Sequence, residues 1–558
     1  MRILLLCSAF NGLSQRAWLE LRARGHDVSV ELAVSEAAIR EAVERSNPDL
    51  VICPFLRQRV PADVWTRYRT IIVHPGPKGD RGPSSLDWAI MEGAAQWGVT
   101  ALQAVEEMDA GPIWGTRIFP MPADPPAKST LYNGPVADAA LELIGEVVDK
   151  AVDPMFEPEP LDEGAPDVIG RLRPAMRAAD REFSWSDDTA TILRRIRAAD
   201  GSPGVRTTLC DTAASVFDAH AGPELSGEPG TIVSRHHDAV LVHTGDGSVW
   251  IGQVRTADSA VKLPATLALG HRMGRVIEVL QPLDLPSLHV GRRELSYRRH
   301  GDVGVLSVDF YNGAMSTNQC RRLTAALRHA ARQPTMVLLI RGGDVFSNGI
   351  HLNVIHAAPS PAMEAWRNIN AIDDACREII SCSDQLVIAS LRGNAGAGGV
   401  MLSLGADRVI ARDGVVLNPH YETMGLYGSE YWTYVLPRRV GAREASTLTQ
   451  RCLPVSAAEA ELVGLVDDVV RAQPDEFDEI VLEEATRLAG RRDHQRLVNA
   501  KRDTRAEDDR RKPLDAYRAE ELAEMSRDLF DDRHGFAAAR HEFVTKQPPT
   551  ATPARLAG

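Results

Sequence analysis

Apolar runs and helical patterns alternate through the first part of the chain. Short apolar segments occur at 3–7, 28–32, 49–53 and 71–73, and apolar residues at helical spacing lie between them. Strands that are apolar on both faces and are separated by helices are typical of a parallel α/β sheet. The pattern therefore predicts an α/β domain over residues 1–150.

The pattern changes twice farther along the chain. A proline-rich stretch at 154–174 predicts a linker, and short strand patterns after it predict a small β-barrel domain over 165–285. Over 292–545, strands run into glycine-rich loops and a charged helical segment follows, which predicts a second α/β domain. The sequence thus indicates an α/β multidomain protein whose last dozen residues form a loose tail.

Charge and composition argue against several classes of protein. The 558 residues include 63 Lys+Arg and 76 Asp+Glu, a net charge of -13, whereas nonspecific nucleic-acid binding needs a basic surface. No apolar run reaches the ~18 residues of a membrane helix. The 7 cysteines are scattered without zinc-site spacing, which is typical of reduced thiols. We therefore expect a cytoplasmic protein with no metal site and with neither a membrane nor a nucleic acid as partner.

A histidine and an aspartate mark the first candidate site. His74 follows the apolar strand at 71–73, and Asp109 lies in the tight turn Met108-Asp109-Ala110-Gly111. Ligands bind at the carboxyl ends of strands in such sheets, and an Asp that orients a His can stabilise its charged form. Spacing alone leaves open the alternative that the two residues are a loop histidine and a turn aspartate without a shared role.

Residues 1–150 resemble the catalytic domain of the 10-formyltetrahydrofolate-dependent formyltransferases. His74 and Asp109 match the histidine and aspartate of that family, and the segment around Phe183-Ser184-Trp185 is similar to its C-terminal β-barrel (OB-like) domain. The resemblance implies a Rossmann-like domain that uses 10-formyltetrahydrofolate. The residues that it implies for folate binding are Phe55, Leu56, Arg57, Gln58, Gly76 and Ser84.

One position departs from the formyltransferase pattern. The family's asparagine falls at Ile72, which has no side-chain donor for the oxyanion that forms when a formyl carbon is attacked. Loss of one such donor costs on the order of 10²–10³ in rate. Either the site is inactive or its acceptor is less demanding. A thiol, with a reference pKa of about 8.5, can attack as a thiolate and depends less on the missing group.

Two glycine-rich loops mark the second candidate site. The segments at 346–352 and 391–400 each follow a strand, and two such loops can direct two backbone N–H groups at one oxygen. Close packing of a strand on a helix is the alternative. Together the loops resemble the crotonase (enoyl-CoA hydratase/isomerase) superfamily over about 295–540. This resemblance implies that the N–H groups of Ile350 and Gly398, flanked by Gly349 and Gly399, hold the thioester carbonyl of an acyl-CoA.

The crotonase-like part lacks the residues that add water. Met401 and Tyr421 stand where hydratases place two glutamates, so hydration of an enoyl-CoA is not expected. The polar segment 418–430 contains Tyr421 and Glu430, which we regard as candidates for proton handling. The alternative is that both are hydrogen-bonded loop residues without a chemical role.

The two candidate sites together suggest one reaction sequence. A formyl thioester has no α-carbon, so enolate chemistry is impossible, and hydrolysis or release of CO remains. This fusion, with the string His-Pro-Gly-x-Lys-Gly-Asp-Arg-Gly-Pro-Ser-Ser at 74–85, resembles the HypX/HoxX family of [NiFe]-hydrogenase maturation factors. The resemblance implies that the chain makes the CO ligand of the active-site iron by way of 10-formyltetrahydrofolate and coenzyme A, with hydrogenase maturation proteins as partners. An N-formyltransferase acting on an amine, with a non-catalytic crotonase-like domain, and a folate- or CoA-binding scaffold stay open.

Overall fold

The chain folds into two compact units. The computed structural model describes residues 1–124, 126–259, 261–284 and 293–557. The first unit contains residues 1–280 and the end of the chain from residue 548, and the second contains residues 281–284 and 293–547. The predicted domain ends at 285 and 292 lie outside the described residues. The finer division of the chain at 150, 165 and 545 stays a prediction.

The first sheet of the first unit contains the strands predicted for residues 1–75. Its strands are β1 (Arg2–Cys7), β2 (Asp27–Leu32), β3 (Leu50–Cys53), β4 (Thr70–His74), β5 (Gln96–Gln103) and β6 (Ile113–Pro120), in the order β2-β1-β3-β4-β5-β6. Its helices are α1 (Gly12–Ala23), α2 (Glu36–Ser46), α3 (Ala62–Trp65), α4 (Ser85–Met91), α5 (Lys128–Leu131) and α6 (Ala137–Ala151). Strands β1 to β4 are parallel, whereas β5 pairs antiparallel with both β4 and β6. The four strands that the sequence predicts are therefore parallel, as expected, whereas β5 and β6 were not predicted. The turn at Asp109 joins β5 to β6 directly, without a crossover helix, so these two strands are antiparallel.

The second sheet of the first unit is mostly antiparallel. Its strands are β7 (Val205–Leu209), β8 (Thr212–Ala221), β9 (Ile232–His236), β10 (Ala239–His243), β11 (Ser248–Thr256), β12 (Leu263–Pro264) and β13 (Ile277–Glu278). The helices near it in sequence are α7 (Ala178–Arg181), α8 (Thr189–Ala199) and α9 (Ala265–Leu269). Apolar residues of α8, including Ile192 and Ile196, pack against Val216 and Val240 in one buried cluster. This region has the short strands that the sequence pattern predicts.

The predicted linker and the predicted loose tail both form backbone hydrogen bonds within the first unit. In the predicted linker, the Gly170 amide donates to the Lys78 carbonyl at 3.0 Å, and the Arg173 amide donates to the Arg81 carbonyl at 2.9 Å. At the predicted loose tail, the Val30 amide of β2 donates to the Leu556 carbonyl at 3.0 Å. The prediction of a loose tail is therefore wrong, and the predicted linker is held by backbone hydrogen bonds to the loop after β4. Strand β2 is at the sheet edge, where backbone groups without a neighbouring strand accept such partners.

The second unit is built around a mostly parallel sheet. Its strands are β14 (Leu295–His300), β15 (Val303–Val308), β16 (Ala314–Met315), β17 (Val337–Gly342), β18 (Val345–Ser347), β19 (Gly349–Ile350), β20 (Leu386–Leu391), β21 (Asn394–Gly396), β22 (Arg408–Arg412), β23 (Val416–Asn418), β24 (Val455–Ser456) and β25 (Asp468–Val470). The main sheet has the order β14-β15-β17-β20-β22-β25, and a smaller sheet has the order β18-β21-β23-β24. Strands β18, β21 and β23 continue the chain just beyond β17, β20 and β22, so the loops after the main strands lie together.

Helices cover this sheet and complete the second unit. They are α10 (Thr317–Ala331), α11 (Leu352–Ala357), α12 (Pro361–Ile380), α13 (Gly398–Leu404), α14 (Trp432–Arg451), α15 (Ala457–Leu462), α16 (Pro474–Ala489), α17 (His494–Arg511), α18 (Leu514–Phe530) and α19 (Phe536–Thr545). Apolar residues of α10, α12 and α13 form the main core with one face of the sheet, while α16 packs on a second cluster. In the part of the chain that the structure describes, no helix is long and apolar enough to cross a membrane.

Candidate active sites

The structure brings His74 and Asp109 together. His74 is the last residue of β4, and its imidazole is 5% exposed. Its Nδ1 lies 3.6 Å from Oδ2 of Asp109, which occupies the turn between β5 and β6 with a φ of 56°. The Gly82 amide donates to the same Asp109 oxygen at 3.3 Å. The strand end and the turn thus place a carboxylate beside a buried imidazole, as the sequence predicts.

A second carboxylate, which sequence reasoning missed, binds the other side of the imidazole. Asp80 is 2% exposed, and its Oδ2 lies 2.8 Å from Nε2 of His74. Its Oδ1 accepts a hydrogen bond from Nη1 of Arg173 at 2.8 Å. The pKa of His74 is raised, because the hydrogen bond with Asp80 and the charges of Asp109 and Asp80 outweigh burial, which acts in the opposite direction. An acidic residue in the loop after a strand-end histidine is the one sequence signal that points to Asp80.

The loop that contains four of the residues implied for folate binding lies after β3. The Ser8 amide donates to the Phe55 carbonyl at 2.8 Å, and the Arg57 amide donates to the Ser8 hydroxyl at 2.8 Å. That hydroxyl in turn donates to Oε1 of Gln58. Leu56 packs against the buried cluster that contains residues of β1 and β3. Ser8 therefore fixes the path of this loop.

The other predicted folate-binding residues, and the residue in the asparagine position, lie close to His74 in the chain. A Cβ at Gly76 would lie 2.2 Å from Oδ2 of Asp80, so the absence of a side chain there gives room to the Asp80 carboxylate. The Ser84 hydroxyl accepts a hydrogen bond from the Met176 amide at 3.0 Å. Ile72 packs against the apolar cluster of β1 and β3. Gly76 and Ser84 thus have structural roles that are visible without a ligand.

The two glycine-rich loops of the second unit meet each other. Gly349 has a φ of 74°, and a Cβ there would lie 3.4 Å from the Gly398 nitrogen. A Cβ at Gly399 would lie 2.1 Å from the Ser347 carbonyl oxygen. Ile350 is half-buried at the end of β19, and Gly398 is the first residue of α13. The backbone of Ile350 and that of Gly398 are thus adjacent, as the superfamily resemblance implies.

Glu430 and Tyr421 lie beside these loops. A Cβ at Gly398 would lie 2.1 Å from Oε1 of Glu430, so this carboxylate rests on the start of α13. The Tyr421 hydroxyl donates to Oε2 of Glu430 at 2.8 Å, and the Ser429 amide donates to the same oxygen at 3.1 Å. Met401 is fully buried in the core. The predicted pair of proton-handling groups is therefore in direct contact, next to the glycine predicted to hold a carbonyl.

Asp373 of α12, which sequence reasoning also missed, lies below the pair. Its Oδ1 accepts from the Glu430 amide at 2.9 Å and from the Ser429 hydroxyl at 2.6 Å. Burial and the charge of Asp373 raise the pKa of Glu430 to about 8, although the hydrogen bonds from Tyr421 and Ser429 lower it. Burial also raises the pKa of Asp373 to about 6. At neutral pH most Glu430 side chains are therefore protonated, and the ionised fraction, which can accept a proton, rises with pH.

Comparisons with known proteins match different parts of the chain to formyltransferases and to enoyl-CoA hydratases. Residues 21–133 match the family model "Formyl transferase", residues 175–271 match "Formyl transferase, C-terminal domain", and residues 304–550 match "Enoyl-CoA hydratase/isomerase". A hydrogenase maturation factor HoxX from Bradyrhizobium diazoefficiens is 46% identical over 569 residues, which cover 100% of this chain and 97% of that protein. The chain belongs to the HypX/HoxX family of hydrogenase maturation factors.

Other relatives support the HypX/HoxX assignment. A crystal structure of HypX from Aquifex aeolicus in complex with tetrahydrofolic acid superimposes with a TM-score of 0.96 at 40% identity, covering 100% of this chain and 98% of that one. A methionyl-tRNA formyltransferase from Acidiphilium cryptum is 31% identical over 228 residues, which are 40% of this chain and 70% of that enzyme. A HypX/HoxX chain thus combines formyltransferase and enoyl-CoA hydratase-like domains, a combination that indicates enzymatic activity.

Proposed function

We propose that this chain transfers a formyl group from 10-formyltetrahydrofolate to coenzyme A and then releases CO from formyl-CoA for the iron of a [NiFe] hydrogenase. The observation that carries the proposal is the position of Glu430 against Gly398 with Tyr421 bonded to it. A formyl thioester has no α-carbon, so a base next to its carbonyl can remove only the formyl hydrogen. The tetrahydrofolate in the Aquifex relative supports a folate donor here.

In the first half-reaction, a thiolate attacks the formyl carbon next to His74. The carbonyl electrons move to oxygen, and the His74 imidazole, with Asp109 at 3.6 Å from its Nδ1, donates to that oxygen. The bond from carbon to N10 then breaks, and N10 takes a proton from His74 as tetrahydrofolate leaves. Ile72 supplies no side-chain donor here, which favours an acceptor that is already ionised, such as the thiol of coenzyme A.

In the second half-reaction, the backbone N–H groups of Ile350 and Gly398 hold the thioester carbonyl oxygen. Ionised Glu430 takes the formyl proton, the C–H electrons become the lone pair of CO, and the C–S electrons leave with the thiolate. Tyr421 protonates that thiolate and regains its proton from Glu430 across their 2.8 Å contact. The products are CO and coenzyme A, and both side chains return to their starting state.

The decisive experiment uses the full chain with 10-formyltetrahydrofolate, with and without coenzyme A. Tetrahydrofolate and formate are quantified, and CO is trapped with deoxymyoglobin and read by its absorbance. We expect CO only when coenzyme A is present, in an amount equal to the tetrahydrofolate released. CO at full rate without coenzyme A contradicts a formyl-CoA intermediate. Formylation of an added amine without CO supports an N-formyltransferase instead, and binding without turnover supports a scaffold.

A further inference from the structure

We infer that Asp80, held by Arg173, is a positioning residue that fixes the ring orientation and the doubly protonated form of His74. This inference deepens the proposed formyl transfer and rests on it. Asp80 occupies a different side of the imidazole from Asp109, so the ring lies between two carboxylates that act through different nitrogens.

The hydrogen bond at Nε2 fixes one proton of the ring. Nε2 of His74 and Oδ2 of Asp80 are 2.8 Å apart, so one proton lies between them. Arg173 donates to the other Asp80 oxygen at 2.8 Å, which favours the carboxylate form of Asp80 and leaves the proton on His74. Asp80 thus acts as the acceptor, and His74 acts as the donor.

The second ring nitrogen then also requires a proton. In a neutral imidazole with its hydrogen on Nε2, the lone pair of Nδ1 faces Oδ2 of Asp109 at 3.6 Å. A lone pair directed at an anion is unfavourable, and a proton on Nδ1 replaces that repulsion with attraction. The 3.6 Å separation is longer than a hydrogen bond, so this proton can still be donated to a substrate oxygen.

The surrounding backbone is shaped for the Asp80 carboxylate. A Cβ at Gly76 would lie 2.2 Å from Oδ2 of Asp80, and a Cβ at Gly170 would lie 2.0 Å from the Asp80 nitrogen. Arg173 is in turn fixed by Glu92, which accepts from its Nη2 at 2.8 Å. The absence of a side chain at Gly76 thus leaves room for the Asp80 carboxylate, Gly170 allows close approach to the Asp80 backbone, and Arg173 holds the carboxylate in place.

The consequence for the reaction is that His74 starts as an acid rather than a base. A doubly protonated ring cannot accept the proton of an amine that attacks, but it can donate to the formyl oxygen and then give a proton to N10. His74 thus supplies a hydrogen-bond donor for the oxyanion, which the Ile72 side chain cannot supply. The doubly protonated ring also explains why an acceptor that arrives as a thiolate suits this site.

The test is Asp80→Asn in the full chain, with Asp167→Asn as the matched control. Asp167 accepts a 2.7 Å hydrogen bond from Lys78, which lies in the same loop as Asp80, but Asp167 does not contact His74. The amide of Asp80→Asn has nearly the volume of the carboxylate but carries no charge, and its NH₂ group can donate to Nε2. We expect Asp80→Asn to slow tetrahydrofolate release by roughly 10²- to 10⁴-fold and the control to change it less than about threefold.

The pH profile separates positioning from a general structural defect. The groups that face His74 in the described residues are Asp80 and Asp109, with Arg173 and Glu92 behind Asp80. Without Asp80's charge, the pKa of His74 falls, so the variant loses its ring proton at a lower pH than the wild type does. We expect the fold-loss relative to wild type to be larger at pH 8 than at pH 6. This ratio cancels the ionisation of the thiol, which is common to both proteins.

A second measurement does not depend on activity. Side-chain ¹⁵N spectra of histidine-labelled protein, assigned with His74→Ala, should show both His74 nitrogens protonated at pH 7 in wild type and a neutral ring in Asp80→Asn. A neutral His74 in wild type, or an Asp80→Asn protein with wild-type rate and pH profile, overturns the inference. If coenzyme A is not the acceptor, the proposed function fails while the His74 spectrum still decides the role of Asp80.

Discussion

Glu430→Gln should make the second unit more stable than that of wild type, by an amount that grows as the pH rises. The same substitution should abolish CO release. Burial and the charge of Asp373 raise the pKa of Glu430 from 4.5 to about 8. Because this pKa is higher in the folded protein than in the unfolded one, protonation of Glu430 stabilises the fold. That stability is fully present below pH 4.5 and is lost as the pH rises through about 8. The amide of the variant does not titrate and so does not incur this loss.

The size of the effect follows from the two pKa values. At about 1.4 kcal/mol per pKa unit, the raised pKa of Glu430 lowers the free energy of unfolding by about 2 kcal/mol at pH 6 and by about 5 kcal/mol at pH 9. The variant should therefore gain up to about 3 kcal/mol over wild type between these two pH values. This is an upper bound, because Asp373, whose pKa is raised to about 6, and Glu521, whose pKa is raised to about 8, titrate beside Glu430.

The assay is urea unfolding of the full chain at pH 6 and pH 9, followed by hydrogen exchange in peptides from the second unit. Glu422→Gln is the matched control, since Glu422 is an exposed glutamate of the same segment. The control should show no such pH dependence. A stability difference between Glu430→Gln and wild type that is the same at both pH values refutes the reasoning, because Glu430 then has an ordinary pKa. CO release at the wild-type rate by Glu430→Gln refutes its role as the base.

Three further predictions concern the two half-reactions. His74→Ala and Asp109→Asn should each abolish tetrahydrofolate release while circular dichroism stays unchanged, and deformylation by His74→Ala at the wild-type rate contradicts the first site. Tyr421→Phe, which keeps the ring, should block CO release but not tetrahydrofolate release, and normal CO from this variant excludes the phenol as the acid. Crotonyl-CoA should not be hydrated, since Met401 and Tyr421 occupy the hydratase glutamate positions. Loss of the ultraviolet absorbance of its conjugated thioester would show that another base exists.

Sequence patterns could predict the features that depend on local order along the chain. The apolar run before His74 predicts a strand that ends there, whereas the pairing of His74 with Asp109 is implied by the formyltransferase resemblance and not by spacing alone. The glycine-rich loops after two strands likewise predict that the backbones of Ile350 and Gly398 meet. The second of these predictions uses the general geometry of a parallel sheet, in which the loops after neighbouring strands lie at one edge.

The features that sequence patterns missed depend on the path of irregular segments. Arg173 lies 93 residues from Asp80, in a stretch whose prolines indicated only a linker. Asp373 is one polar residue on a long helix, and its meaning depends on the turn at Glu430, whose φ is 63°. The end of the chain binds β2 through the Val30 amide. Hydrophobic periodicity carries no information about such contacts, since they are made by polar and backbone groups between distant segments.

At Gly76 and at Gly398, the carboxylate of an acidic residue occupies the space that a side chain would fill. An alanine methyl at these positions would lie 2.2 Å from Oδ2 of Asp80 and 2.1 Å from Oε1 of Glu430, respectively. We therefore expect each glycine to vary together with its acid, although the members of the second pair are far apart in the chain. Among related chains, an alanine at the first member of a pair should accompany loss of the acid at the second. Such paired loss would identify relatives that keep this fold but have given up one of the two half-reactions.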